Sequence, residues 1–318
     1  MAGVPEILYT SGIFDKGKVN VLESINIKAY AKINLALDVT GRLENGYHTL
    51  RMIMQTISLC DEVIIQKTRG GIEILCDSPD IPCDERNICH RAAEEFFRST
   101  GFGKHDGVRI DIKKRIPAGA GLAGGSSDAA AVLKGLNELY RTGLNLDELA
   151  EIGIKCGADV PFCLYGGTCL AEGIGEKLTR LPSFGGVHAV VVKPGFSVST
   201  AWVYGNYDIG SPKEHPDIET IVSAIEARDI AMVAREMKNV LESVTAAKYP
   251  VITDIKNSLV DLGAAGSIMS GSGPSVFGLF ESFEKAEAAF NHMKKLYKQT
   301  YLVSTTDGGE IYGENIKN

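Results

Sequence analysis

The sequence predicts an α+β fold in which mixed or antiparallel sheets are flanked by helices. Several segments alternate polar and apolar residues, as strands with one solvated face do, and segments of helical periodicity lie between them. Such strands are typical of antiparallel or mixed sheets rather than of a parallel sheet buried on both faces. The chain has 318 residues, and at roughly 150 residues per domain this length suggests two domains.

The first strand is predicted over Ile25–Thr40, where odd-numbered residues are apolar and most even-numbered ones polar. Its length suggests a bulge within it. Asn45-Gly46 supplies the residues of a tight turn, and Tyr47–Ser58 is predicted to return as a second strand. Further strands are expected at 61–67 and 72–76.

The next elements surround a glycine-rich segment, Pro117–Ser127. Asn87 is expected to cap a helix that runs to about Phe97. The remaining predictions here are a strand at 108–115, a helix after the glycines capped by Ser126 or Ser127, a helix at about 146–156 ended by Gly157, and a hairpin at 169–181.

The second half is predicted to begin with a strand at 187–192. Helices are expected near 217–239, 250–262 and 282–297, a small-residue segment at 266–274 between strands, and a strand at 301–305. Pro182, Gly185 and Gly186 mark a boundary. The predicted domains are an extension at 1–24 without assigned role, domains at 25–185 and 186–306, and a polar tail at 307–318.

Composition excludes several classes of protein. Hydrophobic residues make up 44% and charged residues 23%, which is ordinary for a globular protein and not for a disordered one. The net charge is −7, so the chain lacks the basic field of a nucleic-acid binder, and any phosphate must be held by a local site. No apolar stretch approaches the 18 residues or so that a membrane span needs, so no membrane association is expected. Oligomeric state stays open between monomer and homodimer.

The cysteines bear on the compartment. There are seven, an odd number, and no C-x-x-C pair, which argues against a disulfide framework and against a zinc site. The first 24 residues lack a basic start followed by an apolar run, so they do not read as a signal peptide. Reduced thiols in the cytoplasm are therefore expected.

The segment Pro117–Ser127 carries the strongest local signal. Glycines let backbone N–H groups approach an anion, and a following helix adds unpaired donors and the positive end of its dipole. Gly119-x-Gly121-x-x-Gly124 formally matches a dinucleotide fingerprint, but the strand before it alternates polar and apolar, unlike a Rossmann first strand. The segment also lacks the Walker pattern. A polyphosphate site is favoured, with a plain surface loop as the alternative.

Other candidate residues each have a structural alternative. Lys32 and Asn34 share one strand face, roughly 6–7 Å apart, where they would orient a hydroxyl and a phosphate or simply be solvated. Asp159 is either a general base or an aspartate that caps a helix or stabilises a turn. Tyr47 and His48 could stack on a base and read its edge, or be ordinary strand residues. The loop at 270–274 either approaches phosphates or only joins two strands.

Together these segments resemble the GHMP kinases over about residues 27–305. The motifs occur in family order. They are Lys28-Ala-Tyr-Ala-Lys-Ile-Asn-Leu35, Gly46-Tyr-His-Thr49, Pro117–Ser127, Gly157-Ala-Asp-Val-Pro161 and Ser270-Gly-Ser-Gly-Pro274. The first two are similar to the branch that acts on a cytidylyl sugar alcohol, unlike mevalonate, homoserine and galactose relatives. The resemblance implies a two-domain GHMP fold and a kinase that uses ATP and Mg²⁺ on a small-molecule substrate.

The resemblance also implies roles for individual residues. Lys32 and Asp159 correspond to the catalytic pair, and Asn34 and Thr200 to contacts with the sugar alcohol. Tyr47 and His48 correspond to the cytidine reader, with Tyr204 as a second stacking ring. The implied ATP phosphate loop consists of Pro117, Ala118, Gly119, Ala120, Gly121, Leu122, Ala123, Gly124, Gly125, Ser126 and Ser127, supported by Lys114. Ala120 and Ala123 depart from the family pattern, which usually has glycine at both positions.

Three alternatives remain open from the sequence. Another GHMP kinase, of the mevalonate or homoserine type, would not need aromatic residues that read a base. A dinucleotide-dependent oxidoreductase would need an acidic ribose partner roughly 20 residues beyond the glycines, and Glu138 stands near that distance within a helical pattern. A non-catalytic anion-binding module would bind ATP without turnover.

Overall fold

The computed structural model describes residues 23–44, 46–102, 106–210 and 214–307. Within these ranges the chain forms ten strands and ten helices, and the expected α+β class with mixed and antiparallel sheets is confirmed. The predictions for residues 1–22, for Asn45 in the first turn and for the tail from residue 308 lie outside the described residues. No helix in the described ranges is both long and apolar enough to cross a membrane.

The larger sheet is built on two long antiparallel strands, β1 (Ser24–Arg42) and β2 (His48–Thr68). The two strands predicted at 47–58 and 61–67 are one, because pairing with β1 continues through Cys60 and Asp61. Register shifts in β1 confirm the expected bulge, and there are three of them, between residues 30 and 32, 34 and 36, and 39 and 41. The sheet is completed by β3 (Gly71–Cys76), β4 (Gly107–Lys113), β5 (Thr168–Gly173) and β6 (Lys177–Arg180), with only β3 and β4 parallel.

The helices of the first half are α1 (Ile88–Thr100), α2 (Gly124–Tyr140), α3 (Leu146–Gly153) and α4 (Val160–Tyr165). Asn87 caps α1 as predicted, accepting a hydrogen bond from the amide of Cys89. The prediction that Ser126 or Ser127 caps α2 is wrong, because the helix already begins at Gly124, after a left-handed Ala123. α3 ends at Gly153 rather than 156, because the next three residues form tighter turns.

The second sheet is antiparallel, in the order β10 (Gln299–Ser304), β7 (His188–Lys193), β9 (Val276–Phe280) and β8 (Gly266–Met269). The helical stretch expected near 217–239 is divided, because Arg228 adopts a left-handed conformation with φ of 53°. Three short helices, α4, α5 and α8, were not predicted. The helices are α5 (Thr200–Gly205), α6 (Ile218–Glu226), α7 (Ile230–Glu236), α8 (Glu242–Lys248), α9 (Val251–Asp261) and α10 (Phe283–Leu296).

Strand β1 contributes to all three hydrophobic clusters of the core. Residues 25–29 pack under α1 and α2, residues 31–36 pack with Val191 and Phe277 of the second sheet, and residues 37–39 join a third cluster. The polar face of the middle of β1 is also buried rather than solvated, and the loop that joins β8 to β9 lies against it. Lys32 is 4% exposed and Asn34 is 0% exposed. The domain boundary near 182–186 stays a prediction.

Candidate active site

A cavity of about 920 Å³ is bordered by both halves of the chain. All the residues predicted to form the site line it, except Leu122 and Ser127, which are buried in the protein. Those that line it are Lys32, Asn34, Tyr47, His48, Lys114, residues 117–121 and 123–126, Asp159, Thr200 and Tyr204. The fold therefore brings together residues that are up to 172 positions apart in the sequence (204 − 32).

The glycine-rich loop is anchored by three consecutive carbonyl groups. The carbonyl oxygen of Ala120 accepts from the amide of Ser275 at 3.2 Å, and that of Leu122 from the amide of Lys32 at 3.1 Å. Between them, the carbonyl of Gly121 accepts from Ser270 Oγ at 3.0 Å. In a trans peptide the N–H points opposite to the C=O, so the amides of residues 121–123 point away from these anchors. This arrangement suits an anion cradle.

Helix α2 extends the cradle. No side chain caps its N-terminus, so amides in its first turn remain available to an anion, together with the positive end of the helix dipole. Gly124, Gly125 and Ser126 line the cavity at this point. Ser127, which was expected either to cap the helix or to bind phosphate, instead donates its hydroxyl to the carbonyl of Tyr30.

Lys32 and Asp159 meet in the cavity. Lys32 Nζ lies 3.8 Å from Asp159 Oδ2 and donates to Asn34 Oδ1 at 2.7 Å. Asp159 stands at the N-cap position of α4, yet its side chain makes no capping hydrogen bond and is 32% exposed. The structural role considered for it, a capping aspartate, is therefore not what its carboxylate does. That carboxylate is open to the cavity and faces an ammonium group.

Asn34 is held on both ends of its amide. Its Oδ1 accepts from Lys32, and its Nδ2 donates to Met52 Sδ at 3.3 Å. The second small-residue loop also reaches this point, because a Cβ added to Gly271 would lie 3.4 Å from Lys32 Nζ and 3.5 Å from Asn34 Oδ1. The 270–274 loop therefore closes over Lys32 and does more than connect two strands.

Lys114 is paired with two buried carboxylates. Its Nζ donates to Asp128 Oδ2 at 2.8 Å and to Asp61 Oδ2, and Asp61 Oδ1 accepts the amides of Arg115 and Ile116. Burial acts to lower the pKa of Lys114, but the two carboxylates outweigh it and raise that pKa. Burial also raises the pKa of the Asp128 carboxyl. The charge of Lys114 is thus largely compensated, and the group fixes the strand that leads into the loop.

The opposite end of the cavity is aromatic. The rings of His48 and Tyr204 are stacked with centroids 5.2 Å apart, and the side chain of Tyr47 is exposed at the rim. Burial, assisted by the nearby charge of Arg42, lowers the pKa of His48. Its imidazole is therefore neutral at pH 7, with one nitrogen donating and the other accepting. Thr200 lies between this aromatic end and Lys32, and its Oγ1 is 2.9 Å from Ser272 Oγ.

Several residues of the site were missed by the sequence reasoning. Asp61 and Asp128 contact Lys114 from 53 and 14 positions away, and Ile81 and Ile88 form apolar lining beyond the glycine loop. Ile88 Cγ2 would be 3.3 Å from a Cβ at Gly125. No local pattern marks any of these residues, since each acquires its role only when distant segments meet.

Comparison with known proteins places this architecture in a family. The model for the GHMP kinases N terminal domain matches residues 87–167, and the one for the GHMP kinases C terminal matches residues 221–299. A protein of Acetivibrio thermocellus named 4-diphosphocytidyl-2-C-methyl-D-erythritol kinase is 52% identical over 284 residues, covering 89% of this chain and all of the relative. A Clostridium kluyveri protein of the same name is 50% identical over 279 residues, covering 88% of this chain and 99% of the relative.

Solved structures agree with these matches. The crystal structure of a 4-(cytidine 5'-diphospho)-2C-methyl-D-erythritol kinase is 33% identical with a TM-score of 0.76, covering 89% of this chain and all of that one. A homoserine kinase from Cytophaga hutchinsonii, at 22% identity and a TM-score of 0.73, covers 95% of this chain and 99% of its own and shares the fold. The chain therefore belongs to the GHMP kinase family, in the branch whose curated relatives are named 4-diphosphocytidyl-2-C-methyl-D-erythritol kinase.

Proposed function

We propose that this chain transfers the γ-phosphoryl group of ATP to the 2-hydroxyl of 4-diphosphocytidyl-2-C-methyl-D-erythritol, a step of the non-mevalonate route to isoprenoid precursors. The observation that carries the proposal is one cavity that joins three features: the glycine loop, the Lys32–Asp159 pair and the aromatic end. Its volume of about 920 Å³ is near the upper end of ligand pockets, as expected where two substrates lie side by side.

Phosphoryl transfer needs positioning and charge stabilisation more than covalent chemistry. The amides of residues 121–123 and of the first turn of α2 would hold the ATP phosphates. The partly exposed Asp159 carboxylate would accept the proton of the attacking hydroxyl. Lys32, 3.8 Å from that carboxylate, would balance the charge that develops between the attacking oxygen and the γ-phosphate. Asn34 supports this role by holding the ammonium group in place.

The oxygen ligands beside the phosphate loop fit a magnesium ion that would arrive bound to the nucleotide. Mg²⁺ keeps several waters and takes one or two protein oxygens besides phosphates, and the Ser126 hydroxyl lines the cavity beside the loop. We propose Ser126 as the residue that would hold it. When bound, the ion neutralises part of the phosphate charge.

The two ends of the cavity would hold the two bases. The neutral imidazole of His48 is suited to the edge of cytosine, and the rings of Tyr47 and Tyr204 to its faces. Thr200 is placed between this end and Lys32, where the sugar alcohol would lie. Ile81 and Ile88 offer apolar contact on the far side of the phosphate loop, and we propose that they contact the adenine.

The substrate assay tests the proposal directly. The purified chain is incubated with Mg²⁺ and ATP plus, separately, the cytidylyl methylerythritol, mevalonate and homoserine. We expect ADP and a phosphorylated product only with the first substrate. Phosphorylation of mevalonate or homoserine instead would support another GHMP kinase, and ATP binding without turnover of any of the three would reject the kinase proposal.

We also propose that the chain works in the cytoplasm. All seven cysteines are free thiols, and three of them are buried. Buried, unpaired thiols in a chain with no close cysteine pair suit a reducing compartment. The partners that we propose for the chain are its small-molecule substrates. Its predicted oligomeric state is still either a monomer or a homodimer.

A further inference from the structure

A buried lysine, Lys193, stands at the end of β7. Lys193 is 7% exposed, and within the described ranges no acidic side chain forms an ion pair with it. Its Nζ instead donates to two main-chain carbonyl oxygens, those of Pro194 at 3.2 Å and Phe196 at 2.9 Å. A buried ammonium group without an ion-pair partner is costly to keep. Burial lowers the pKa of Lys193, and the charge of Asp80 offsets this only in part, so its placement suggests a structural role.

The two carbonyls belong to the loop 194–199, which Lys193 folds back on itself. The amide of Phe196 also donates to the carbonyl of Pro194, at 2.8 Å, so the loop forms a tight turn around the ammonium group. Two donor nitrogens thus make three hydrogen bonds to two oxygens within three residues. The Lys193 side chain therefore holds the turn, together with the packing of Phe196 and Val198.

This loop touches both substrate regions of the cavity. Ser197 Oγ donates to the carbonyl of Ala118 in the phosphate loop at 3.4 Å, and a Cβ at Gly119 would lie 3.0 Å from Ser197 Cβ. Two residues later, Ser199 caps α5 by accepting from the amide of Trp202. Helix α5 carries Thr200 and Tyr204 into the cavity.

From these contacts we infer that Lys193 is a positioning residue that sets the phosphate loop and helix α5 in register with each other. Lys193 is not among the residues that line the cavity, and it acts through the 194–199 loop. The part of this inference that concerns α5 rests on the proposed function, in which that helix contacts the cytidylyl substrate. Removing the ammonium group would leave the carbonyl of Phe196 without its donor and the carbonyl of Pro194 with the Phe196 amide alone, and it would allow both attachments of the loop to shift.

The test compares Lys193→Met, which keeps the length of the side chain but loses its donors, with Lys193→Arg, which keeps donors. Lys177→Met, an exposed lysine of β6, is the matched control. We expect KM for ATP and for the cytidylyl substrate to rise about tenfold or more in Lys193→Met, because both binding segments lose a shared anchor and about 1.4 kcal/mol of lost binding energy is tenfold. At saturation, kcat should stay within about twofold, because the Lys32–Asp159 pair is untouched. Lys193→Arg should recover most of the loss.

Hydrogen–deuterium exchange gives a second readout that a general loss of stability would not reproduce. In Lys193→Met we expect faster exchange confined to residues 117–123 and 195–204, and about tenfold weaker binding of a non-hydrolysable ATP analogue. Unchanged KM values, or exchange that rises evenly over the whole chain, would overturn the inference. If the wild-type chain does not phosphorylate the cytidylyl substrate, the proposed function fails, whereas analogue binding and exchange still decide the role of Lys193.

Discussion

Replacing Gly121 by alanine tests the geometry of the phosphate loop most directly. Gly121 has φ of 76°, and a Cβ built there would lie 2.2 Å from the carbonyl oxygen of Ser270 and 3.1 Å from the amide nitrogen of Gly273. Ordinary contact begins at about 3.4 Å, so the two loops must separate by 3.4 − 2.2 = 1.2 Å. The obstacle is main chain, which cannot rotate away as a side chain can.

Two effects of Gly121→Ala can be separated. The left-handed backbone costs about 1–2 kcal/mol for a residue with a Cβ. The displacement moves the amides of residues 121–123 by about 1 Å relative to Lys32, and shifts of that size lower the rate about 10²-fold, or about 2.7 kcal/mol in activation free energy. Gly143→Ala is the matched control, because Gly143 has φ of 70° and nothing within 4 Å of the added atom.

The assay is kcat/KM for ATP, with the free energy of unfolding measured in parallel by denaturant. Both variants should lose a similar amount of stability from the backbone term, and only Gly121→Ala should lose activity about 10²-fold. Wild-type kcat/KM in Gly121→Ala would refute the claim that the phosphate loop and the 270–274 loop are in close contact at Gly121. An equal loss of activity in Gly143→Ala would show that strain, not displacement, is responsible.

Three further predictions concern the reacting groups and the base-binding end. Asp159→Asn should lower kcat about 10²–10⁴-fold if it removes the proton acceptor; full kcat in a variant whose circular dichroism is unchanged would remove Asp159 from that role. Tyr47→Ala should raise KM for the cytidylyl substrate and leave KM for ATP unchanged, and an unaltered KM for both would reject stacking on Tyr47. Because the pKa of His48 lies below its ordinary 6.5, binding that uses the neutral imidazole should be complete at pH 7 and weaken only as pH falls through the lowered pKa. A KM for the cytidylyl substrate that already rises as the pH falls from 7.5 to 6.5 would contradict binding by the neutral imidazole. His48→Gln is the control, and its KM should lose the pH dependence.

Local patterns were sufficient for most elements and for the glycine-rich loop of the cavity. The alternation over Ile25–Thr40 predicted β1, and the glycine segment before a helical pattern predicted the loop and α2. Both patterns lie within a few neighbouring residues, so a single sequence was enough to predict these elements. Family resemblance then brought Asp159, Thr200 and Tyr204 to the same site, and all three line the cavity.

Other features depend on contacts that no local pattern encodes. The polar face of β1 alternates as a solvated one would, but the 270–274 loop closes over it, and Lys32 and Asn34 are buried. Helices α5 and α8 are six and seven residues long, too short to show a helical period. Serines after the glycines are good caps by propensity, yet here a left-handed Ala123 starts α2 without one.

The three carbonyl anchors of the phosphate loop explain why its composition can vary. A carbonyl and an amide exist at every position of a polypeptide, so recognition through them places no chemical demand on the side chains of the loop. Alanine at position 120 is compatible with this arrangement, and its methyl group is buried in the cluster between the sheets. What selection must preserve in this segment is the space around each Cα: a methyl group has room at Ala120, whereas at Gly121 the neighbouring main chain leaves none.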